Sequence, residues 1–135
     1  MKFFVTGVNG QLGHDVMNEL VKRGHLGIGS DIADNYSRVS DGSAICSASY
    51  VSLDIIDKEA VQNIIEEIKP DAVIHCAAWT AVDMAEDDDK VELVRKVNAG
   101  GTQNIADACK TIDAKMLYLS TDYVFDGQGT KPWTP

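Results

Sequence analysis

Basic residues are scarce in this chain. Its 12 Lys and Arg stand against 21 Asp and Glu, a formal net charge of −9. They are also scattered, which excludes nucleic acid or an anionic membrane as main partner, because phosphate backbones are held by clustered Lys and Arg. Cysteine is sparse too. Cys46, Cys76 and Cys109 lie far apart with no C-x-x-C pair, so reduced thiols in a cytoplasmic protein are expected, not a disulfide framework. His14, His25 and His75 show no ligand-like spacing with those cysteines, and no metal site is expected. No apolar stretch approaches the ~20 residues of a membrane span. The N-terminus runs straight into an apolar segment, without the basic region and long apolar core of a secretory signal. What is left, 135 residues with 44% hydrophobic and 24% charged, suits one compact soluble domain with its own core.

The most informative feature that is present is Gly7-Val-Asn-Gly10-Gln-Leu-Gly13, set between an apolar run and an amphipathic stretch. Glycines at this spacing after a first strand suit a dinucleotide pyrophosphate. The early ones make a tight turn and let the backbone approach the phosphates. The last lets helix and sheet pack closely, and the helix N-terminus supplies N–H groups and the positive end of a dipole. Alone the motif is weak, since the usual spacing is G-x-G-x-x-G and glycine-rich turns are common.

Periodicity extends the pattern. Strands are expected at Lys2–Thr6, Leu26–Ser30, Tyr50–Leu53, Ala72–His75 and Lys115–Leu119. Gln11–Arg23 reads as a helix with Leu12, Val16, Leu20 and Val21 on its apolar face, stopped by Gly24. Residues 34–47 read as a surface loop. Asp57 is an N-cap for a helix over Lys58–Ile68, which buries Val61, Ile64, Ile65 and Ile68 and is closed by Pro70. Trp79–Asp89 is a loop, with or without a short helix. Val91–Thr111 reads as one long helix, in which Gly100 and Gly101 allow close approach to a sheet at some cost in stability. Strands alternating with helices mean a parallel sheet covered on both faces, with ligands outside the carboxyl ends of the strands. Gly7 to Leu12, Asp31, Asp54, Ala77 to Thr80 and Ser120 to Asp122 all fall there, and that convergence makes dinucleotide binding the favoured reading.

Each candidate residue has a plainer alternative. Asp31, 18 residues after Gly13, can accept both adenosine ribose hydroxyls and would repel a 2′-phosphate, favouring NADH over NADPH. It can also be a simple turn or N-cap aspartate. Asp54 and Ile55 can flank an adenine, or form a strand-end turn. Ala77 and Ala78 leave room for ribose and phosphate, or merely pack. His75 lies inside an apolar strand, where a hydrogen-bonded core histidine outweighs an acid or base. Cys76 reads as a buried small hydrophobe. Glu86 to Asp89 read as a solvated surface ahead of a helix, not a metal site. Ser120 and Thr121 can hydrogen-bond a substrate carbonyl oxygen, although by themselves they read as a hydroxyl-rich strand end.

Four stretches together resemble the extended short-chain dehydrogenase/reductase superfamily and, within it, the dTDP-4-dehydrorhamnose reductase family. They are Val5-Thr-Gly-Val-Asn-Gly-Gln-Leu-Gly13, Asp71-Ala-Val-Ile-His-Cys-Ala-Ala-Trp-Thr-Ala-Val-Asp83, Val97-Asn-Ala-Gly-Gly-Thr-Gln-Asn-Ile-Ala106 and Leu119-Ser-Thr-Asp-Tyr-Val-Phe-Asp-Gly127. The first and third mark the superfamily; the second and fourth are specific to the reductases and their near relatives. The resemblance implies a Rossmann-type doubly wound parallel α/β sheet, cut after about five strands, with residues 1–135 as the N-terminal part of the NAD(P)-binding domain. It implies that Gly10, Gln11 and Leu12 meet the pyrophosphate and that Asp31 meets the ribose. Asp54 and Ile55 would border the adenine, and Ala78, Trp79 and Thr80 would touch the cofactor near the nicotinamide. Thr121 resembles the hydroxyl member of a catalytic Thr/Tyr/Lys set, and Asp122 a sugar contact. Trp79 stands where Tyr or His is more usual, and His75-Cys76 where Asn-Ala is.

The implied activity is reduction of a 4-keto sugar nucleotide, dTDP-4-dehydrorhamnose to dTDP-rhamnose, with NADH or NADPH. The family's Tyr-x-x-x-Lys is absent, since Tyr123 is followed four residues on by Gly127. The tyrosine would be the proton donor to the ketone, so a cofactor-binding piece without turnover is expected. Strand five is expected at an open sheet edge, with Leu117 and Leu119 exposed and association or marginal stability as the consequence. A non-catalytic regulatory subunit and a sugar-nucleotide epimerase or dehydratase are the alternative readings.

Overall fold

The computed structural model describes residues 1–40, 42–44, 49–85, 87, 89–121 and 124–133. Five strands form one sheet: β1 (Lys2–Thr6), β2 (Leu26–Asp31), β3 (Ser49–Ser52), β4 (Ala72–His75) and β5 (Lys115–Tyr118). Their order is β3-β2-β1-β4-β5, and every pairing is parallel. The chain steps outward from β1 to β3, then returns to the other side of β1 with β4. Between β1 and β4 the strand order reverses, and ligands bind in the crevice that such a reversal opens.

The central strand is apolar on both faces because both are covered. Phe4 and Val5 are each wholly buried, one in each of two cores. Phe4 joins Val61 and Ile65 of α3 (Lys58–Ile68) and Ile105 and Ala108 of α6 (Thr102–Thr111). Val5 joins Met17 and Leu20 of α1 (Gln11–Lys22), with Val8 and Tyr36. Each large side chain buried in this way contributes about 1.5–3 kcal/mol. This is the Rossmann-type doubly wound arrangement expected from the sequence.

Local chemistry sets the helix ends. Asp57 Oδ1 accepts the Ala60 amide N–H at 3.0 Å, capping α3. Lys69 ends it in the left-handed conformation, φ 48°, its N–H donating to the Ile65 carbonyl at 2.9 Å. The helix therefore stops before Pro70, whose ring disfavours a helical residue ahead of it.

Several details differ from expectation. The buried face of α1 is Gly13, His14, Met17 and Leu20, while Leu12 is exposed. A short helix, α2 (Ser37–Ser40), interrupts the stretch expected to be loop, whereas α4 (Val82–Ala85) is the short helix allowed for after Trp79. The expected long helix is three segments: α5 (Val91–Arg95), a π turn (Lys96–Gly101) and α6. Of its two glycines, Gly101 makes the close approach, to Ile55 and not to a strand. A Cβ there would sit 2.5 Å from Ile55 Cδ1, whereas one on Gly100 would meet nothing within 4 Å. Strand β3 starts one residue earlier than expected, and Cys76 is half-buried, not buried. Cys46, Glu86, Asp88 and Tyr123 lie outside the described residues. Asp87 and Asp89 are exposed, and Asp89 pairs with Lys90 at 2.9 Å. Among the described residues, no helix is long and apolar enough to cross a membrane.

Candidate cofactor site

The glycine loop runs from the end of β1 into α1, at the point of strand reversal. Gly7 has φ +74°, and a Cβ on it would lie 2.7 Å from the Ala77 backbone nitrogen. The loop after β1 thus presses directly on the segment after β4. A Cβ on Gly13 would lie 2.3 Å from the Gly7 carbonyl oxygen, so α1 can reach its place only with glycine there. The Gly7 and Val8 amides donate to the Ser30 carbonyl at 2.7 and 3.2 Å, which fastens the turn to β2. Gly10 caps α1 without any side-chain bond, and the first turn holds no acidic residue. Gly10, Gln11 and Leu12 are exposed. Their position at the start of a 12-residue helix, with no competing cap or charge, fits an anion.

Asp31 closes the other side of the loop. Its Oδ2 accepts the Asn9 amide N–H at 3.0 Å and its Oδ1 the Ile32 N–H at 2.8 Å. Asn9 reaches further: its Oδ1 accepts from the Ser37 amide and hydroxyl, both at 2.9 Å, and its Nδ2 donates to the Asn35 carbonyl at 3.2 Å. Tyr50 donates to the Asp31 and Ala33 carbonyls. Burial, followed by the Asp31 charge, raises its pKa. Asn9 and Tyr50 therefore hold the backbone around Asp31, and sequence reasoning missed both.

Asp54 is a turn residue, its Oδ1 accepting the Ile56 amide at 3.1 Å. Ile55 beside it is 6% exposed, its side chain packed in the core against Gly101. Ile56, the next residue, is 37% exposed. Asn104 of α6 holds this corner by donating to the Ile55 carbonyl at 2.9 Å.

On the β4 side, Ala77 and Trp79 are half-buried while Ala78 and Thr80 are exposed. Asn98, within the π turn, accepts the Trp79 amide through Oδ1 at 2.7 Å and donates to the Trp79 carbonyl at 3.2 Å. The Trp79 indole donates to the Ala81 carbonyl at 3.1 Å. His75 is buried between Thr6 and Thr102, as the core-histidine reading expects. Burial alone pushes its pKa down to about 4, and burial raises that of Cys76. Thr121, exposed, follows β5 at the same end of the sheet. Asp122 lies outside the described residues. The structure thus gathers Gly7, Gly10, Asp31 and the Ala77–Thr80 segment at one strand reversal. The spacing Asn98-x-x-x-Thr102-x-Asn104 on a helix is the signal that would have found the supporting polar groups. Among the described residues, no group of His, Cys, Asp or Glu could hold a metal ion.

A five-stranded parallel sheet with a glycine loop at its strand reversal defines a nucleotide-binding fold of the short-chain dehydrogenase/reductase type. The chain belongs to the family described as the RmlD substrate binding domain, whose sequence model matches residues 1–135. It is similar to the dTDP-4-dehydrorhamnose reductase of Streptomyces griseus, with 36% identity over 132 residues, 98% of this chain and 37% of that protein. The crystal structure of a dTDP-4-dehydrorhamnose reductase from Clostridium acetobutylicum has a TM-score of 0.78 and 38% identity, covering 98% of this chain and 40% of that one. The dTDP-4-dehydrorhamnose reductase of Bacillus anthracis in complex with NADP has a TM-score of 0.74 and 35% identity, covering 95% and 39%. The chain therefore spans well under half the length of these relatives, and it bears out the expected family resemblance.

Proposed function

We propose that this chain carries the nicotinamide-dinucleotide site of a 4-keto sugar-nucleotide reductase acting in the cytoplasm, with dTDP-4-dehydrorhamnose as substrate. The carrying observation is the contact between Gly7 and Ala77, which joins the phosphate loop to the segment beside it at the strand reversal. Gly10, Gln11 and Leu12 would hold the pyrophosphate on the start of α1. Asp31 would accept the adenosine ribose hydroxyls, and Asp54 and Ile55 would border the adenine. Ala77, Ala78, Trp79 and Thr80 would line the nicotinamide half. The reduced cofactor, when bound, supplies a hydride. Thr121 would donate a hydrogen bond to the substrate's ketone oxygen, and Asp122 would contact the sugar.

NADH is preferred over NADPH in this reading, because Asp31 would put negative charge where a 2′-phosphate would lie. A second reading is favoured by one observation: no tyrosine in these residues has a lysine four positions on. In that reading these residues bind dinucleotide without turnover, as a non-catalytic binding or regulatory subunit does. Titration with NADH separated from a reductase assay tests both. Saturable binding supports the dinucleotide site that both readings share, turnover by the chain supports the reductase over the binding subunit, and absence of binding to a folded chain refutes both.

A further inference from the structure

His75 sits at the C-terminal end of β4 with 1% of its surface exposed, and the proposed dinucleotide contacts do not use it. Both ring nitrogens are occupied, Nδ1 lying 2.7 Å from Thr6 Oγ1 and Nε2 lying 3.1 Å from Thr102 Oγ1. The neighbouring bonds assign the protons. The Thr102 hydroxyl donates to the Asn98 carbonyl at 2.7 Å, so its oxygen accepts from His75 Nε2–H. Thr6 Oγ1 accepts the Ala77 amide N–H at 3.2 Å. Ser30, the cross-strand partner of Thr6, has a buried hydroxyl with no hydrogen-bond partner among the described residues. That leaves His75 Nδ1 as the acceptor for the Thr6 proton. One neutral tautomer satisfies both hydroxyls and both ring nitrogens. A second ring proton, on Nδ1, would face Thr6 Oγ1 and displace the proton that the hydroxyl now donates.

The two ends of this relay hold the same stretch of backbone. At one end Thr6 accepts the Ala77 amide. At the other, Asn98, whose carbonyl receives the Thr102 proton, clamps both backbone groups of Trp79. The imidazole is thus the link between β1 and the helical segment on the far side of β4.

We propose that His75 is a positioning residue: a neutral imidazole, protonated on Nε2, that couples Thr6 to Thr102 and thereby fixes the backbone of Ala77 to Thr80, the segment assigned to the nicotinamide half of the dinucleotide. This role rests on the cofactor reading for its purpose but not for its geometry.

Long-range 1H–15N spectra of the 15N-labelled chain read the tautomer directly. The expected result at neutral pH is a proton on Nε2 and none on Nδ1; a proton on Nδ1, or on both nitrogens, overturns the proposal. Amide exchange reads the positioning. In His75→Leu the amides of Ala77 and Trp79 should exchange about tenfold faster or more, while those of Val61 and Ile65 stay protected. His75→Gln, whose side-chain amide can still donate to Thr102, should recover most of that protection. Equal exchange at Ala77 and Trp79 in all three chains overturns the proposal. If His75→Leu does not fold, the wild-type tautomer and the His75→Gln exchange still decide it. A wild-type chain with this tautomer and protection that binds neither NADH nor NADPH removes the cofactor reading and leaves the His75 lock in place.

Discussion

The Asp31 carboxylate accepts the backbone N–H of Asn9 at 3.0 Å, so the acid at the end of β2 is part of the glycine loop's own support. In the proposed function it has two tasks, holding the loop and offering its remaining lone pairs to a ribose. Hydrogen bonds to charged groups are worth about 1.5–3 kcal/mol. Asp31→Ala should therefore weaken NADH binding about tenfold to a hundredfold. Asp31→Asn, which keeps one acceptor for Asn9, should lose less. Calorimetric titration of the three chains checks this, and equal affinities would contradict it.

Glycine is required at Gly13 and dispensable at Gly100. A Cβ on Gly13 would collide with the Gly7 carbonyl, so Gly13→Ala should destabilise the chain by about 1–3 kcal/mol and displace the loop. Gly100 is helical, exposed and unobstructed, so Gly100→Ala should raise stability by up to about 1 kcal/mol. Urea unfolding of both variants measures the contrast. A harmless Gly13→Ala would mean that the loop does not pack as described.

The apolar patterns made most of the fold legible. The runs at Phe3–Val5 and Val73–Ile74 became central strands, and Asp57 capped the helix it was expected to cap. The misplaced face of α1 has a physical cause. Its buried positions include Gly13 and a histidine, His14, which is satisfied by Tyr36 at 2.9 Å. Neither reads as apolar, so the helical template locked onto Leu12, Val16 and Leu20 and missed Met17. The π turn left no trace in periodicity because the residues on either side remain helical. The packing of Ile55 was not legible for a related reason. Its packing partner is Gly101, a glycine 46 positions away, and no local pattern reports such a contact.

His75 should also impose a pH dependence on stability. Its folded-state pKa is about 4, against 6.5 for an ordinary histidine. The unfolded chain therefore takes up this proton below about pH 6.5, while the folded chain does not until about pH 4. Stability is lost as pH falls through that window, by about 3 kcal/mol at ~1.4 kcal/mol per unit. Carboxylates titrate in the same range, so the informative quantity is the difference between wild type and His75→Leu. Unfolding free energies at pH 7 and pH 4.5 should converge between the two chains as pH falls. Parallel curves would contradict the buried neutral imidazole.

Strand β5 pairs only with β4 among the described residues, and Leu117, Tyr118 and Leu119 are 53%, 50% and 40% exposed. An apolar edge of this kind favours association. Size-exclusion chromatography across a concentration series should show earlier elution as concentration rises, and Leu117→Lys should reduce the effect. A chain that stays monomeric throughout would contradict the expectation.

Isothermal titration of the 135-residue chain with NADH and then NADPH, at equal ionic strength, tests the central claim most directly. The account predicts saturable binding of NADH, tighter than that of NADPH and weakened by Asp31→Ala. A folded chain that binds neither dinucleotide would contradict it.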